Sequence, residues 1–235
     1  MQSILITGNR GFIASGLSGD GIDIKDGFDI LTYQATKHYD VVIHTAAKIS
    51  VKESINEPEE YVKTNVLGTL NMLKQHPEAH FIYLSTAGVY GEGIDHTVNS
   101  PLKPESVYAT TKLAGEFLVE NLAKSWAILR LTNVMGENDR DKTHPNVYQI
   151  FSKSDVLNIY GDGLQTRDFI HVERVREIIM HCAAKGVNGL FNVGSGISVS
   201  ILEVAREFEK PMRFFPARPG EIRKFGISDA FNPAA

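Results

Sequence analysis

One cysteine, no excess of positive charge and no long apolar run are what this chain of 235 residues has least of. A single thiol, Cys182, cannot close an intramolecular disulfide, so the fold must rest on its core, and a reducing compartment suits it. The net charge of -4 gives no cationic face to hold a polyanion, and nucleic acid is not expected as a partner. No stretch approaches the roughly 20 apolar residues that cross a bilayer, so no membrane association is expected. The opening Met1-Gln2-Ser3 lacks the basic start of a signal peptide, and the expected setting is cytoplasmic. The eight histidines are scattered without ligand spacing, and no metal site is expected. What remains, 43% hydrophobic and 22% charged residues, is the composition of an ordinary globular protein with enough length for a substantial core.

Strand-like apolar runs alternate with helical ones. Residues 3–7, 21–24, 40–44, 81–85, 127–131 and 189–193 read as strands; 57–74, 108–124 and 172–184 read as helices. Such alternation implies crossover connections and a parallel sheet covered on both faces. The expected fold is therefore α/β, a Rossmann-like doubly wound parallel sheet formed by residues 1–132, to which 168–194 return. Residues 133–167 and 195–235 are richer in turn formers and are expected to make a smaller substrate-binding lobe over the carboxyl ends of the strands.

The first strand runs into Thr7-Gly8-Asn9-Arg10-Gly11-Phe12-Ile13-Ala14. Glycines between a strand and a helix allow a tight turn and close backbone approach to a pyrophosphate, while the small Ala14 permits helix–sheet packing. Gly8, Arg10, Gly11, Phe12 and Ile13 are thus candidate cofactor residues, although a plain turn has the same spacing. Asp23, after the second strand, can accept hydrogen bonds from a ribose and would repel a 2′-phosphate, which favours NAD over NADP. Lys25 and Arg10 nearby weigh the other way. A parallel crossover generally needs about a dozen residues, and Ser18-Gly19-Asp20-Gly21 breaks a helix, so this one has room for about two turns, roughly 10 Å.

Tyr108 and Lys112 are four apart in a helical stretch and share a face. A free phenol, with a pKa of ~10, is a poor base at neutral pH, but an adjacent ammonium and a cationic nicotinamide both favour the phenolate. Thr86, at the end of the fourth strand, places a hydroxyl toward the same substrate oxygen. Alone, a tyrosine and a lysine at this spacing are commonplace.

In order along the chain, these residues resemble the extended short-chain dehydrogenase/reductase family, also called the NAD-dependent epimerase/dehydratase family, most of all its 4-epimerases acting on nucleotide sugars. The likeness runs from Ile4 to about Arg223. Thr7-Gly8-x-x-Gly11-Phe12-Ile13-Ala14 resembles its TGxxGFIG motif; His44-Thr45-Ala46-Ala47, Asn65-Val66-Leu67-Gly68-Thr69 and Ser85-Thr86-Ala87-Gly88-Val89-Tyr90-Gly91 resemble three further elements. Tyr108-x-x-x-Lys112 has the catalytic spacing, and Arg130-x-x-Asn133-Val134-x-Gly136 and 160–172 follow in order. The resemblance implies that Gly8, Gly11, Asp23, Asp29, Ile30, Ala46 and Ala47 surround NAD, with Asn65 and Ser85 in the same site and Lys112 on the nicotinamide ribose. It implies that Thr86 and Tyr108 meet the sugar hydroxyl and that Asn133, Arg167 and Arg218 hold the nucleotide diphosphate. His44 has the place of a packing or backbone-bonding residue. Phe225 has the place of a sugar-pocket gate, or of an ordinary lobe aromatic. The apolar stripes of 57–74 and 108–124 imply a homodimer.

Oxidation at the sugar C4 followed by hydride return to the opposite face would invert that carbon. Dehydratases of the family need further acid and base groups just after the Thr86 position, where this chain has Ala87 and Gly88. The expectation is an NAD-dependent epimerase acting on a nucleotide sugar, with a UDP-hexose as substrate. A 4-ketoreductase, a dehydratase or a non-catalytic NAD-binding regulator are the alternatives.

Overall fold

The computed structural model describes residues 2–136, 145–218 and 222–233; parts of the expected small lobe, 137–144, 219–221 and 234–235, lie outside them. The chain begins with β1 (Ile4–Thr7), β2 (Asp20–Ile22) and β3 (Val41–His44). A helical stretch follows in pieces: α1 (Val51–Asn56), which the sequence reading did not anticipate, α2 (Pro58–Val62) and α3 (Thr69–Gln75). Proline at the first position of α2 separates it from α1, since proline starts helices readily but cannot continue them. Between α2 and α3, residues Lys63–Gly68 form a wider π-helical turn, a form often found beside functional sites. Next come β4 (His80–Thr86), β5 (Gly93–His96), α4 (Val107–Leu122) and β6 (Ser125–Leu131). Ser106 caps α4, its hydroxyl accepting from the Ala109 N–H at 3.1 Å.

The second half contains β7 (Asn133–Met135), α5 (Val147–Lys153), β8 (Leu157–Tyr160), β9 (Thr166–His171), α6 (Val172–Lys185) and β10 (Gly189–Val193). It ends with β11 (Ser198–Ser200), α7 (Ile201–Arg206), β12 (Met212–Phe215) and β13 (Phe225–Ile227). The six expected strands make one parallel sheet in the order β10-β6-β4-β3-β1-β2, as the Rossmann-like reading requires. Chain direction across the sheet reverses between β1 and β3, the place where open α/β sheets bind ligands.

Successive side chains of a strand point to opposite faces, and the core divides accordingly. Ile6, Ile43, Ile82, Leu84 and Leu129 pack with Val175, Ile178, Ile179 and Cys182 of α6. Leu5, Val42, Phe81, Tyr83 and Ile128 pack with Met72, Leu73 and Val119 of α3 and α4. β7, β9 and β11 form a small separate sheet, and β8 pairs with β12, around a core of Phe151, Leu157, Ile159 and Val204. The tail then leaves this region: β13 pairs with β5, and Phe231 donates its N–H to the Asn192 carbonyl beside β10 at 2.8 Å.

One expected element is missing. The two-turn first helix shrinks to a single tight turn, Ala14–Gly16, because Leu17 turns extended and its N–H bonds back to Ala14 at 2.9 Å. The Ser18-Gly19 break acts earlier than the sequence reading allowed.

Candidate active site

Gly8 follows β1 with φ +68°, and a Cβ there would lie 2.9 Å from the Ala46 Cα. Only glycine lets the turn after β1 and the loop after β3 come this close. Its N–H donates to the Ile22 carbonyl at 2.8 Å, and the Gly11 N–H donates to the Gly8 carbonyl at 2.9 Å. The turn is thereby closed on itself and tied to the end of β2.

Behind it runs a buried chain of hydrogen bonds. The Ala46 N–H donates to Thr7 Oγ1 (3.1 Å), which meets His44 Nδ1 (2.9 Å); His44 Nε2 meets Thr69 Oγ1 (3.0 Å), which donates to the Asn65 carbonyl (2.7 Å). Burial, with the nearby charge of Lys112 adding to it, pushes the His44 pKa down to about 3. The ring is therefore a neutral strut between the two loops, held by two threonine hydroxyls and not by the backbone as expected. Asn65 continues the strut. Its Oδ1 accepts from the Lys48 N–H (2.9 Å), and its Nδ2 donates to the Lys48 carbonyl (2.9 Å) and to Thr111 Oγ1 (3.0 Å). Both amide hydrogens are engaged within the protein, so Asn65 shapes the loop after Ala46 and Ala47 instead of offering a free donor.

Asp23 accepts from the Lys25 N–H (2.9 Å) and the Arg10 N–H (3.2 Å), which joins the glycine turn to the end of β2. Arg10 turns its guanidinium to Asp26 through two hydrogen bonds, and this pairing occupies a cation expected at the cofactor. Asp29 caps its own turn by accepting from the Leu31 N–H at 2.9 Å, while Ile30 is buried in the core. Phe12 and Ile13 are partly buried, and a cavity of about 510 Å³ opens beside Asn9, Arg10, Ser15 and Lys25.

Thr86 ends β4, and its hydroxyl hydrogen-bonds Tyr108 in the first turn of α4. Lys112, one turn further, is buried with its ammonium 4.0 Å from the Tyr83 ring centre. Thr86 and Tyr108 thus meet at the carboxyl end of β4, while Lys112 lies one helical turn on, against Tyr83. The electrostatics run opposite to the sequence argument. Burial pushes Tyr108 up to about 12, only partly opposed by the Thr86 hydrogen bond, and pushes Lys112 down to about 7, partly opposed by Glu116. Desolvation raises the phenol, and the ammonium expected to lower it is not among the groups that shift it.

Glu116 was not foreseen. It lies four residues after Lys112, is buried, and pairs with Arg130 through bonds of 2.7–3.2 Å. Ser85 donates to Glu116, so its hydroxyl belongs to this ion pair. Arg130 also donates to Tyr90 Oη (2.9 Å), Tyr90 to Asn192 (2.8 Å), and Asn192 to Asp229 (2.6 Å). The signal available in the sequence was the four-residue repeat Tyr108, Lys112, Glu116 on one helix face.

The expected diphosphate residues are more dispersed. Asn133 is exposed and donates to the Asp168 carbonyl at 3.3 Å. Arg167 donates to the Thr166 and Ile222 carbonyls, both at 2.8 Å, and so anchors the returning tail. Arg218 is exposed and stacks 3.7 Å from the Tyr160 ring centre. Phe225 is buried with Val89, Tyr90 and Ile227 beside His96.

The model of the NAD dependent epimerase/dehydratase family matches residues 18–194, starting within the first crossover, after the glycine turn. A dTDP-D-glucose 4,6-dehydratase of Bos taurus is 32% identical over 196 residues, covering 79% of this chain and 55% of its own length. A UDP-glucose 4-epimerase of Halalkalibacterium halodurans is 31% identical over 235 aligned positions, covering 85% of this chain and 70% of its own length. The solved UDP-N-acetylglucosamine 4-epimerase of Methanobrevibacter ruminantium M1, in complex with UDP-N-acetylmuramic acid, has a TM-score of 0.84 at 26% identity, over 97% of this chain and 89% of that one. The chain therefore spans about half of the first relative and 70% of the second.

Proposed function

The chain belongs to the NAD dependent epimerase/dehydratase family, and from that premise we propose that it is a nucleotide-sugar 4-epimerase acting on a UDP-hexose. Its cofactor is NAD, which when bound accepts a hydride from the sugar and can return it. The residues present fit a dinucleotide: a glycine turn at the point where the strand order reverses, and a carboxylate at the end of β2. In this reading Gly8 and Gly11 let the backbone approach the pyrophosphate. Asp23 and Asp29 face the adenosine, Ala46 and Ala47 line the floor, and Lys112 holds the nicotinamide ribose. Tyr108, its phenolate favoured by the positive charge that bound oxidised NAD would bring, would take the proton of the sugar 4-hydroxyl, and Thr86 would fix that oxygen. Tyr108 gives the proton back when the C4 ketone is reduced from its other face. Arg167 and Arg218 would hold the diphosphate with Asn133, as the forked guanidinium suits phosphate oxygens.

What carries the choice of epimerisation is the pair after Thr86. Ala87 is buried and Gly88 only donates its N–H to Thr86 at 3.1 Å, so neither supplies the acid or base that loss of water needs. Glu116, on the same helix as Tyr108, is bound to Arg130. The similarity to a 4,6-dehydratase keeps that reaction as the second reading. Incubation with UDP-glucose, UDP-galactose and their N-acetyl forms tests the proposal. Interconversion of 4-epimers without net cofactor consumption supports it. Loss of one water identifies a dehydratase, stoichiometric reductant use a ketoreductase, and NAD binding without turnover a regulator.

The same reading includes a homodimer through α2, α4 and the turn between α2 and α3, where Val62, Leu67, Phe117 and Leu122 are exposed. Light scattering on Phe117→Glu should then report a monomer. A cytoplasmic setting fits the single, buried thiol of Cys182.

A further inference from the structure

A turn that seats a pyrophosphate normally opens a helix, and the helix holds its shape. In this chain the helix stops after one turn. The carbonyls of Phe12 and Ile13 would, in a continuing α-helix, accept from the N–H groups of Gly16 and Leu17. Leu17 instead bonds to Ala14, and the chain departs extended. The two carbonyls are met from elsewhere. Arg176, on α6 and more than 160 residues away in sequence, donates from Nε to the Ile13 carbonyl at 2.8 Å and from Nη2 to the Phe12 carbonyl at 2.8 Å. Nη2 also lies 3.5 Å from Ser15 Oγ, and Nη1 pairs with Glu173, which holds the guanidinium by its other edge.

Gly16 completes the arrangement. A Cβ at that position would stand 2.5 Å from Arg176 Cζ and 2.6 Å from Nε, so any side chain there would push the guanidinium off the turn. A lysine ammonium has no planar fork to serve two carbonyls and a carboxylate at once.

We propose that Arg176 is a positioning residue for the cofactor: from α6 it stands in for the missing first helix and fixes the glycine-rich turn in the shape that seats the pyrophosphate. The proposal rests on reading residues 8–14 as that seat. It goes beyond the reaction assigned above, since any NAD-dependent chemistry at this site would need it.

The test uses the full chain with Arg176→Gln, Arg176→Lys and Gly16→Ala, and Gly8→Val as a control on the seat itself. NAD and UDP affinities are measured by calorimetry, and hydrogen exchange is followed segment by segment. Loss of two charge-assisted bonds should weaken NAD binding about tenfold or more in Arg176→Gln and in Gly16→Ala, and by less in Arg176→Lys. UDP affinity should stay within about twofold, as its expected residues lie elsewhere. Exchange should quicken in 9–17 and not through α6. NAD affinity unchanged in both Arg176→Gln and Gly16→Ala would overturn the proposal. So would equal losses of NAD and UDP affinity with faster exchange throughout α6, which is what a merely structural arginine would give. If Arg176→Gln fails to fold, Gly16→Ala and Arg176→Lys decide by the same criteria. Full NAD affinity in Gly8→Val would instead remove the seat, an outcome separate from failure at Arg176.

Discussion

Tyr108 and Lys112 share one helix face, yet burial moves them in opposite directions, the phenol up to about 12 and the ammonium down to about 7. The signs decide a stability profile. Between pH 7 and about 10 the unfolded lysine keeps a proton that the folded one has released, so stability rises with pH over that window. Above about 10 the unfolded tyrosine ionises while the folded one does not, and stability falls again. Thermal unfolding of the NAD-free protein should show this dome, and Lys112→Met should flatten its rising limb. The His44 ring, held near 3, titrates well below this window, so any activity change between pH 5 and 8 belongs to other groups. Tyr108→Phe should lower kcat about a hundred- to ten-thousand-fold, the usual worth of a positioned acid–base group, with binding of UDP unchanged. The positions of Thr86, Tyr108 and Lys112 were legible from sequence because spacing on a strand end and a helix fixes them. Their ionisation was not, because burial is set by residues such as Tyr83 that only the fold brings near.

At the scale of elements, the strands were readable where apolar residues run continuously, as in Val41–His44 and His80–Thr86, since a doubly covered sheet demands such runs. The first crossover misled because glycine turns announce themselves in sequence while a long-range substitute such as Arg176 does not. Arg130 was visible as part of a motif, but its partner Glu116 lies on the preceding helix, and nothing local couples them. Breaking this buried pair should be costly. Arg130→Met, leaving Glu116 uncompensated, is expected to lower unfolding stability by about 3–5 kcal/mol, and the double variant with Glu116→Gln by clearly less. Denaturant titration of the single and double variants measures this. In the π-helical turn, Asn65→Ala removes three hydrogen bonds to Lys48 and Thr111. NAD affinity should fall with the loosened loop, and hydrogen exchange at residues 45–49 should quicken.

For the molecule as a whole, the tail is bound to the large sheet and not only to the small one. Asp229 accepts from the Asn192 amide at 2.6 Å and from the Val98 N–H at 2.8 Å, and through Tyr90 and Arg130 this chain of bonds reaches the helix that bears Lys112. The sequence reading placed 195–235 with the small lobe because turn formers dominate there. It had no means of seeing a β-strand pair between 93–96 and 225–227 across so long a separation. The architecture sets a glycine turn after β1, a neutral histidine strut behind it, and Tyr108 and Lys112 on one helix, with Ala87 and Gly88 following Thr86. That combination is the basis for the proposed inversion at C4. The most direct test is conversion of UDP-galactose by the purified chain in deuterated water, followed by nuclear magnetic resonance and mass spectrometry. The account predicts UDP-glucose of unchanged mass, with no solvent deuterium at C4. A product lacking one water, or carrying deuterium at C4, would contradict it.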